Sequence, residues 1–155
     1  MIAKIKKGKY FKGAILYNIN KVSSENANRI YVSGFSTKDP TPKDILEIFL
    51  ERAEVCEIKK PVAHISLNFA PGEHLEQETL IMIAQEYLEK MGYIRTPYVV
   101  YEHKDTAHQH IHILTSNIYE NQMGQYRAIN DSNNFYKSKN ICAEIEKKYG
   151  LVASE

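Results

Sequence analysis

The chain has 155 residues, of which 43% are hydrophobic and 25% are charged, and its formal net charge is +1. These values are ordinary for one soluble globular domain, and no apolar run approaches the roughly 20 residues that span a bilayer. They argue against an integral membrane protein and against a strongly basic polyanion-binding domain. Cys56 and Cys142 form no CxxC pair, and no export signal precedes them, so we expect reduced core thiols in a cytoplasmic protein.

The first predicted elements are a strand, a short helix and a second strand. The opening MIAKIKK alternates apolar residues with lysines, which indicates a half-buried strand. Gly8 and Gly13 are then expected to bracket a turn, and a helix of two or three turns follows from Ala14 to Val22. The stretch RIYVSGF is rich in β-forming residues and predicts the second strand.

A longer helix, a third strand and another helix come next. Thr41 and Pro42 make an N-cap and a first helical position for the amphipathic segment DILEIFLERAEVCEI. PVAHISLNF predicts the third strand, in which His64 is expected to be an inward residue with a hydrogen-bond partner. Residues from about Leu75 to Met91 predict an amphipathic helix closed by Gly92.

The last third of the chain predicts hairpins and a final helix. TPYVVYEH and HIHILTSNIY are strand-like runs joined by a short polar turn, as in an antiparallel hairpin. A further hairpin is expected around Asn121 to Gly124, and the last helix stops at Gly150. About five strands with three or four helices favour an α+β fold, in which a central antiparallel five-stranded sheet has helices packed on one face.

Lysines crowd the N-terminus without an intervening acid, at Lys4, Lys6, Lys7, Lys9 and Lys12. This asymmetry is compatible with a basic face for a phosphate backbone. It is equally compatible with a solvated terminus that has no partner.

The stretch HKDTAHQHIHIL holds four of the six histidines within ten positions. On a strand, His108, His110 and His112 fall on one face, and imidazoles two residues apart lie about 7 Å apart, close enough for one divalent ion. A turn across KDTA would bring His103 beside them. The density of histidines therefore predicts a metal or catalytic site, where Asp105 could be a ligand, a carboxylate that orients an imidazole, or a turn residue.

These residues resemble the plasmid mobilisation relaxases, a family of HUH endonucleases. HKDTAHQHIHI is similar to their third motif, a histidine, one residue, Asp-Thr, a turn and His-hydrophobic-His. GKYFKGAILY is similar to the first motif and ends in Tyr17, and PVAHISLNFAPGE is similar to the second. The terminal KNICAEIEKKYGL resembles the helix that follows these motifs, so the resemblance covers nearly the whole chain in the expected order.

The resemblance implies an endonuclease that nicks single-stranded DNA at a transfer origin. Tyr17 would attack the scissile phosphate and form a 5′-phosphotyrosyl intermediate, while His103, His110 and His112 hold a divalent cation. Asp105 is expected to be catalytic together with Tyr17. His108 would support the ligands without binding the ion. Nitrogen ligands suit manganese, zinc, cobalt or nickel better than magnesium, and the identity of the ion stays open.

The resemblance also implies contacts to DNA and further partners. Relatives often place a serine directly before the Phe of the second motif, where this chain has Asn68, so the positioning role falls to Ser66 or Asn68. The N-terminal lysines flank Tyr17, and we expect them to grip the phosphate backbone: Lys7, Lys9 and Lys12 as named DNA contacts, and Lys4 and Lys6 beside them. Accessory mobilisation and coupling proteins are the other expected partners. Residues 1–155 would be a single relaxase domain, the N-terminal part of a longer protein.

The chain has eleven tyrosines, so Tyr17 competes with Tyr10 for the role of nucleophile, and motif spacing favours Tyr17. Single-strand binding commonly uses aromatic rings that stack on unpaired bases, although ordinary packing explains most tyrosines. The tyrosines considered for such stacking are Tyr98, Tyr101, Tyr126 and Tyr136.

Other functions remain open at this point. HQHIHIL also resembles the histidine-triad nucleotide hydrolases, in which the middle histidine, here His110, would be the nucleophile without a metal. Gln109 breaks the hydrophobic alternation of that motif, and the Tyr17 motif would stay unexplained. A non-catalytic DNA-binding module is a further alternative. Rolling-circle initiators place the tyrosine after the histidines, whereas Tyr17 precedes them.

Overall fold

The structure, a computed structural model, describes residues 1–104 and 106–154. Within these ranges the strands are β1 (Ile2–Gly8), β2 (Ala27–Ser33), β3 (Val62–Asn68), β4 (Tyr98–His103), β5 (His110–Ser116), β6 (Ile118–Glu120) and β7 (Tyr126–Ala128). The helices are α1 (Phe11–Ser23), α2 (Pro42–Val55), α3 (Gln77–Met91) and α4 (Asn134–Tyr149). In the part of the chain so described, no helix is long and apolar enough to cross a membrane.

The main sheet has five antiparallel strands in the order β1-β3-β5-β4-β2. Strand β5 therefore lies in the centre, and β1 and β2 form the two edges. Strands β6 and β7 make a small separate sheet. The predicted α+β class with a central five-stranded antiparallel sheet is confirmed, as are the two predicted hairpins.

Helices cover both faces of the main sheet, so the prediction that they pack on one face is wrong. On one face α3 and α4 bury the apolar side chains of the central strands, including Ile65 and Ile113. On the other face α1 and α2 form a second core, where Phe11 and Phe49 stack with ring centroids 4.8 Å apart. The reason is that the central strands are apolar on both faces near one end, where Leu114 joins this second core.

Helix α1 begins at Phe11 and includes Gly13, where a turn was expected. Glycine costs a helix about 1 kcal/mol relative to alanine. Burial of Phe11 and Ile15, one turn apart on the same side of α1, outweighs that cost. The predicted start of α2 is confirmed, because the Thr41 hydroxyl accepts from the backbone N–H of Asp44 and completes a capping box.

Candidate functional site

The pairing of β4 with β5 brings three histidines together on the face covered by α1 and α2. His103 lies directly opposite His110, and His112 follows two residues later on the same face. The rings of His103 and His112 stack with centroids 3.7 Å apart, and those of His110 and His112 are 5.1 Å apart. One ring nitrogen of each histidine lies within 4.8 Å of the other two. The hairpin thus assembles the histidine set that strand alternation and motif spacing predicted.

Asn18 contacts this cluster from α1. Nε2 of His103 donates to Oδ1 of Asn18 across 3.3 Å, and Nδ2 of Asn18 donates to the carbonyl of Ala14 at 3.0 Å. The Asn18 side chain is completely buried. Sequence reasoning missed this residue, although one signal was present: Asn18 continues the buried stripe of Phe11 and Ile15 at helical spacing, where a polar residue needs a partner.

His64 reaches the cluster from β3. Its Nε2 lies 2.9 Å from Nδ1 of His112, which gives His64 the hydrogen-bond partner expected of it. Burial lowers the pKa of His64 below its usual 6.5, and the nearby Lys6 ammonium lowers it further. His64 is therefore held neutral, and a neutral imidazole can accept a hydrogen bond from His112.

His110 is held by the turn that precedes β5. Nδ1 of His110 lies 3.1 Å from Oγ1 of Thr106 and 3.2 Å from the carbonyl of His108, and the Thr106 hydroxyl donates to that carbonyl. The His108 imidazole is exposed and precedes β5, so the contact with His110 comes from the His108 backbone. Asp105, expected to be catalytic together with Tyr17, lies outside the described residues.

The Tyr17 ring on α1 lies over the histidines. Its centroid is 6.2 Å from that of His103 and 6.4 Å from that of His112, and the ring meets His64 edge-on at 5.8 Å. Tyr17 stays 43% exposed, so its ring remains accessible beside the cluster. Tyr10 is the N-cap residue of α1, about 10 Å earlier along the helix axis.

A cavity of about 410 Å³ opens beside Tyr17, and its walls are Lys4, Lys6, Tyr17, His64, Ser66 and His112. Strand alternation decides which lysines reach it. Lys4 pairs with Ser66 and Lys6 with His64 across β1 and β3, so these lysines share the face of the histidines.

The other residues expected to bind DNA lie in different environments. Lys7 occupies the opposite face of β1 and forms an ion pair with Asp131, so its position gives no support to the expected role. Lys9 and Lys12 are exposed around the start of α1. The Asn68 amide donates to the carbonyl of Ile2 and to the hydroxyl of Ser66, which braces Ser66 beside the cavity.

The donor set suits a divalent transition metal. Imidazole nitrogens bind such ions at about 2.1 Å, and small rotations of the three rings would bring nitrogens within 4.8 Å onto one ion. A histidine that binds metal through one nitrogen usually hydrogen bonds through the other. Asn18, His64 and Thr106 each provide such a contact to one ring.

Comparisons with known proteins agree with the resemblance to relaxases. The family described as relaxase, MobA/VirD2-like, nuclease domain, matches residues 17–151. No curated protein sequence compared with the chain matches it.

Several solved structures are similar in fold at low sequence identity. The conjugative relaxase TrwC in complex with OriT DNA, metal-free, is 11% identical with a TM-score of 0.55, over 99% of this chain and 72% of that chain. A copper-bound TrwC complex is 10% identical with a TM-score of 0.52, over 96% of this chain and 71% of that chain. A structure described as the molecular basis of vancomycin resistance transfer in Staphylococcus aureus is 12% identical with a TM-score of 0.56, over 99% of this chain and 96% of that chain.

Proposed function

Because the chain belongs to the MobA/VirD2-like relaxase nuclease domains, which are site-specific DNA endonucleases, we propose that it nicks one strand at a transfer origin through Tyr17. The observation that carries the proposal is the Tyr17 ring, which lies within 6.4 Å of both His103 and His112. A nucleophile beside a cluster of metal-binding donors is an arrangement suited to metal-assisted attack on a phosphodiester.

In this proposal His103, His110 and His112 hold a divalent ion. The three supporting contacts, from Asn18, His64 and Thr106, favour this set. When bound, the ion would withdraw negative charge from the non-bridging oxygens of the scissile phosphate. Imidazole donors suit ions such as zinc or nickel better than magnesium.

Tyr17 supplies the covalent chemistry. Its phenolic oxygen attacks phosphorus, the bond between phosphorus and the 3′-oxygen breaks, and the phenolic proton is passed through solvent to the leaving 3′-oxygen. The products are a 5′-phosphotyrosyl protein and a 3′-hydroxyl end. The stacked rings of His103 and His112 beneath Tyr17 limit where its ring can lie, which keeps the nucleophile near the phosphate.

The cavity beside Tyr17 would hold the DNA backbone. Lys4 and Lys6 offer ammonium groups to phosphates, and Ser66 offers a hydroxyl. Lys9 and Lys12, exposed at the start of α1, extend this basic surface along the same helix as Tyr17.

The decisive experiment is a search for the covalent adduct. The protein is incubated with single-stranded oligonucleotides from transfer origins, with and without Mn²⁺, and the adduct is located by mass spectrometry. We expect an adduct that is lost in Tyr17→Phe and kept in the matched variant Tyr10→Phe. Nucleotide hydrolysis that survives EDTA and is lost in His110→Ala would instead identify a histidine-triad hydrolase. If neither activity is detected, the remaining alternative is a non-catalytic DNA-binding module.

A further inference from the structure

Two exposed aromatic residues stand at the start of α4, away from Tyr17 and the histidines. The side chains of Phe135 and Tyr136 are 74% and 68% exposed, and their rings meet edge to face at 5.6 Å. Of the other tyrosines considered for stacking on bases, Tyr101 is buried, and Tyr98 and Tyr126 are partly covered. The structure therefore leaves Phe135 and Tyr136 as accessible rings that the folded core does not explain.

A cavity of about 440 Å³ lies beside these rings, between α4 and the edge strand β1. We call it the β1–α4 pocket. Its walls include Ile2, Ala3, Ile5, Phe135, Ser138 and Lys139. An apolar wall with one aromatic ring, the hydroxyls of Ser138 and Ser154 and the Lys139 ammonium offers the contacts that a nucleobase and its attached phosphate would use.

The charge around the pocket favours a polyanion. Lys137 and Lys139 lie in the first two turns of α4, as Phe135 and Tyr136 do. Within residues 1–104 and 106–154, neither ammonium lies within ion-pair distance of a carboxylate. Lysine is depleted from the cores of protein interfaces, whereas single-strand binding sites combine basic side chains with exposed aromatic rings.

The pocket and the cavity beside Tyr17 lie on opposite faces of β1, which is an edge strand of the sheet. Lys4 and Lys6 face the Tyr17 cavity, while Ala3 and Ile5, which alternate with them along β1, line the β1–α4 pocket. Strand β1 lies two strand spacings, about 10 Å, from β5, the strand that carries His112. A single strand that leaves the nucleophile along Lys4 and Lys6 would cross this edge of the sheet and reach Phe135.

We propose that the β1–α4 pocket is a subsite for an unpaired base of the nicked strand, which stacks on Phe135 while Lys139 contacts the neighbouring phosphate. The proposal rests on the proposed function only in taking single-stranded DNA as the substrate. It extends the DNA contact surface from the Tyr17 face around the β1 edge to α4.

The test measures binding of fluorescein-labelled oligothymidylate by anisotropy at several salt concentrations. Phe135→Ala should weaken binding roughly tenfold, as expected for the loss of one stacked base. Lys139→Gln should reduce the slope of log affinity against log salt by about 0.7, the value of one phosphate contact in single-stranded nucleic acid. Met123→Ala, a matched exposed position on the β6–β7 hairpin, should bind like the parent protein. Both α4 positions can be changed safely, because Phe135 and Lys139 are not part of the buried core.

Cross-linking gives a second measurement. An oligothymidylate carrying 5-iodouracil should cross-link to Phe135 or Tyr136 on irradiation. Unchanged affinity in Phe135→Ala, with cross-links elsewhere, would overturn the subsite. A parent protein that self-associates in sedimentation, when Phe135→Ala does not, would assign the rings to a second copy and also overturn it. Normal adduct formation on Tyr17 together with unchanged binding in Phe135→Ala would refute the subsite alone. Weakened binding in Phe135→Ala without any adduct would refute the nuclease chemistry alone.

Discussion

The amide oxygen of Asn18 lies 3.3 Å from Nε2 of His103 and joins the helix of Tyr17 to the histidine cluster. Asn18 directly follows Tyr17 in α1, and its amide nitrogen is anchored on the carbonyl of Ala14. A displacement of α1 would therefore disturb a proposed ligand and the proposed nucleophile together. The two parts of the site are mechanically coupled through one buried side chain.

Asn18→Ala should weaken metal binding. Loss of the amide removes the hydrogen-bond acceptor of His103, and such supporting contacts are worth about 10- to 100-fold in metal affinity. Isothermal titration with Co²⁺ or Mn²⁺ measures the change. Asn20→Ala, at an exposed position of the same helix, is the matched control and should bind metal like the parent. Equal affinity in Asn18→Ala would show that this contact does not support a ligand.

His64 should support His112 in the same way, because their ring nitrogens lie 2.9 Å apart. His64→Phe keeps a ring but removes the nitrogen, so metal affinity should fall by about tenfold or more. His64→Gln restores a hydrogen-bonding group and should recover part of the loss, which a purely steric role of the ring would not predict. His74→Phe, an exposed histidine, serves as the control in the same titration.

Lys6 and Lys7 of β1 should differ in their effect on DNA binding, because Lys7 is paired with Asp131. Lys6→Gln should weaken binding of oligothymidylate and reduce its salt slope by about 0.7, because Lys6 faces the Tyr17 cavity. Lys7→Gln should leave the salt slope unchanged, since the Lys7 ammonium is already paired with Asp131. Anisotropy across a salt series measures both. An equal loss of slope in the two variants would show that the ion pair with Asp131 does not keep Lys7 from contacting DNA.

Stability should fall at alkaline pH because of Tyr87. Burial raises its pKa from 10.0 to about 12, although its hydroxyl also contacts Ser138 at 2.7 Å. The unfolded chain releases this proton from about pH 10, whereas the folded chain holds it, so the stabilising contribution is complete below pH 10 and is lost between pH 10 and 12. One such group changes the free energy of unfolding by about 1.4 kcal/mol per pH unit within that window.

Urea unfolding between pH 9 and 12 checks this expectation for Tyr87. Tyr87→Phe removes the hydrogen bond to Ser138, so its free energy of unfolding should be about 1 kcal/mol lower at neutral pH. That free energy should then decline less steeply at alkaline pH than in the parent protein. Tyr136→Phe, at an exposed position, should follow the parent curve. A decline in Tyr87→Phe as steep as in the parent would assign the alkaline loss to other groups; burial also raises the pKa of Tyr93.

The sequence predicted the parts of the site that depend on local geometry. Strand alternation places His110 and His112 on one face, and a short hairpin returns His103 beside them, so neighbouring residues alone define that cluster. The family resemblance, now confirmed by the match over residues 17–151, added Tyr17.

Contacts between distant segments could not be predicted in this way. The partnership of His64 with His112 depends on the register of β3 against β5, and that of Asn18 with His103 depends on how α1 packs on the sheet. Lys7 was expected at the DNA because the lysines of the N-terminus looked equivalent. Strand alternation separates Lys4 and Lys6 from Lys7, but only the pairing of β1 with β3 shows which face carries the histidines.

The central place of β5 has a consequence for biosynthesis. Strand β5 is the last of the five sheet strands to be made, yet it lies between β3 and β4 and pairs with both. A nascent chain that ends before residue 110 carries Tyr17 but lacks His110 and His112, as well as the strand that brings His64 and His103 together. Insertion of one late strand thus completes both the sheet and the histidine cluster, so an unfinished chain lacks the assembled cluster on which the proposed nicking depends.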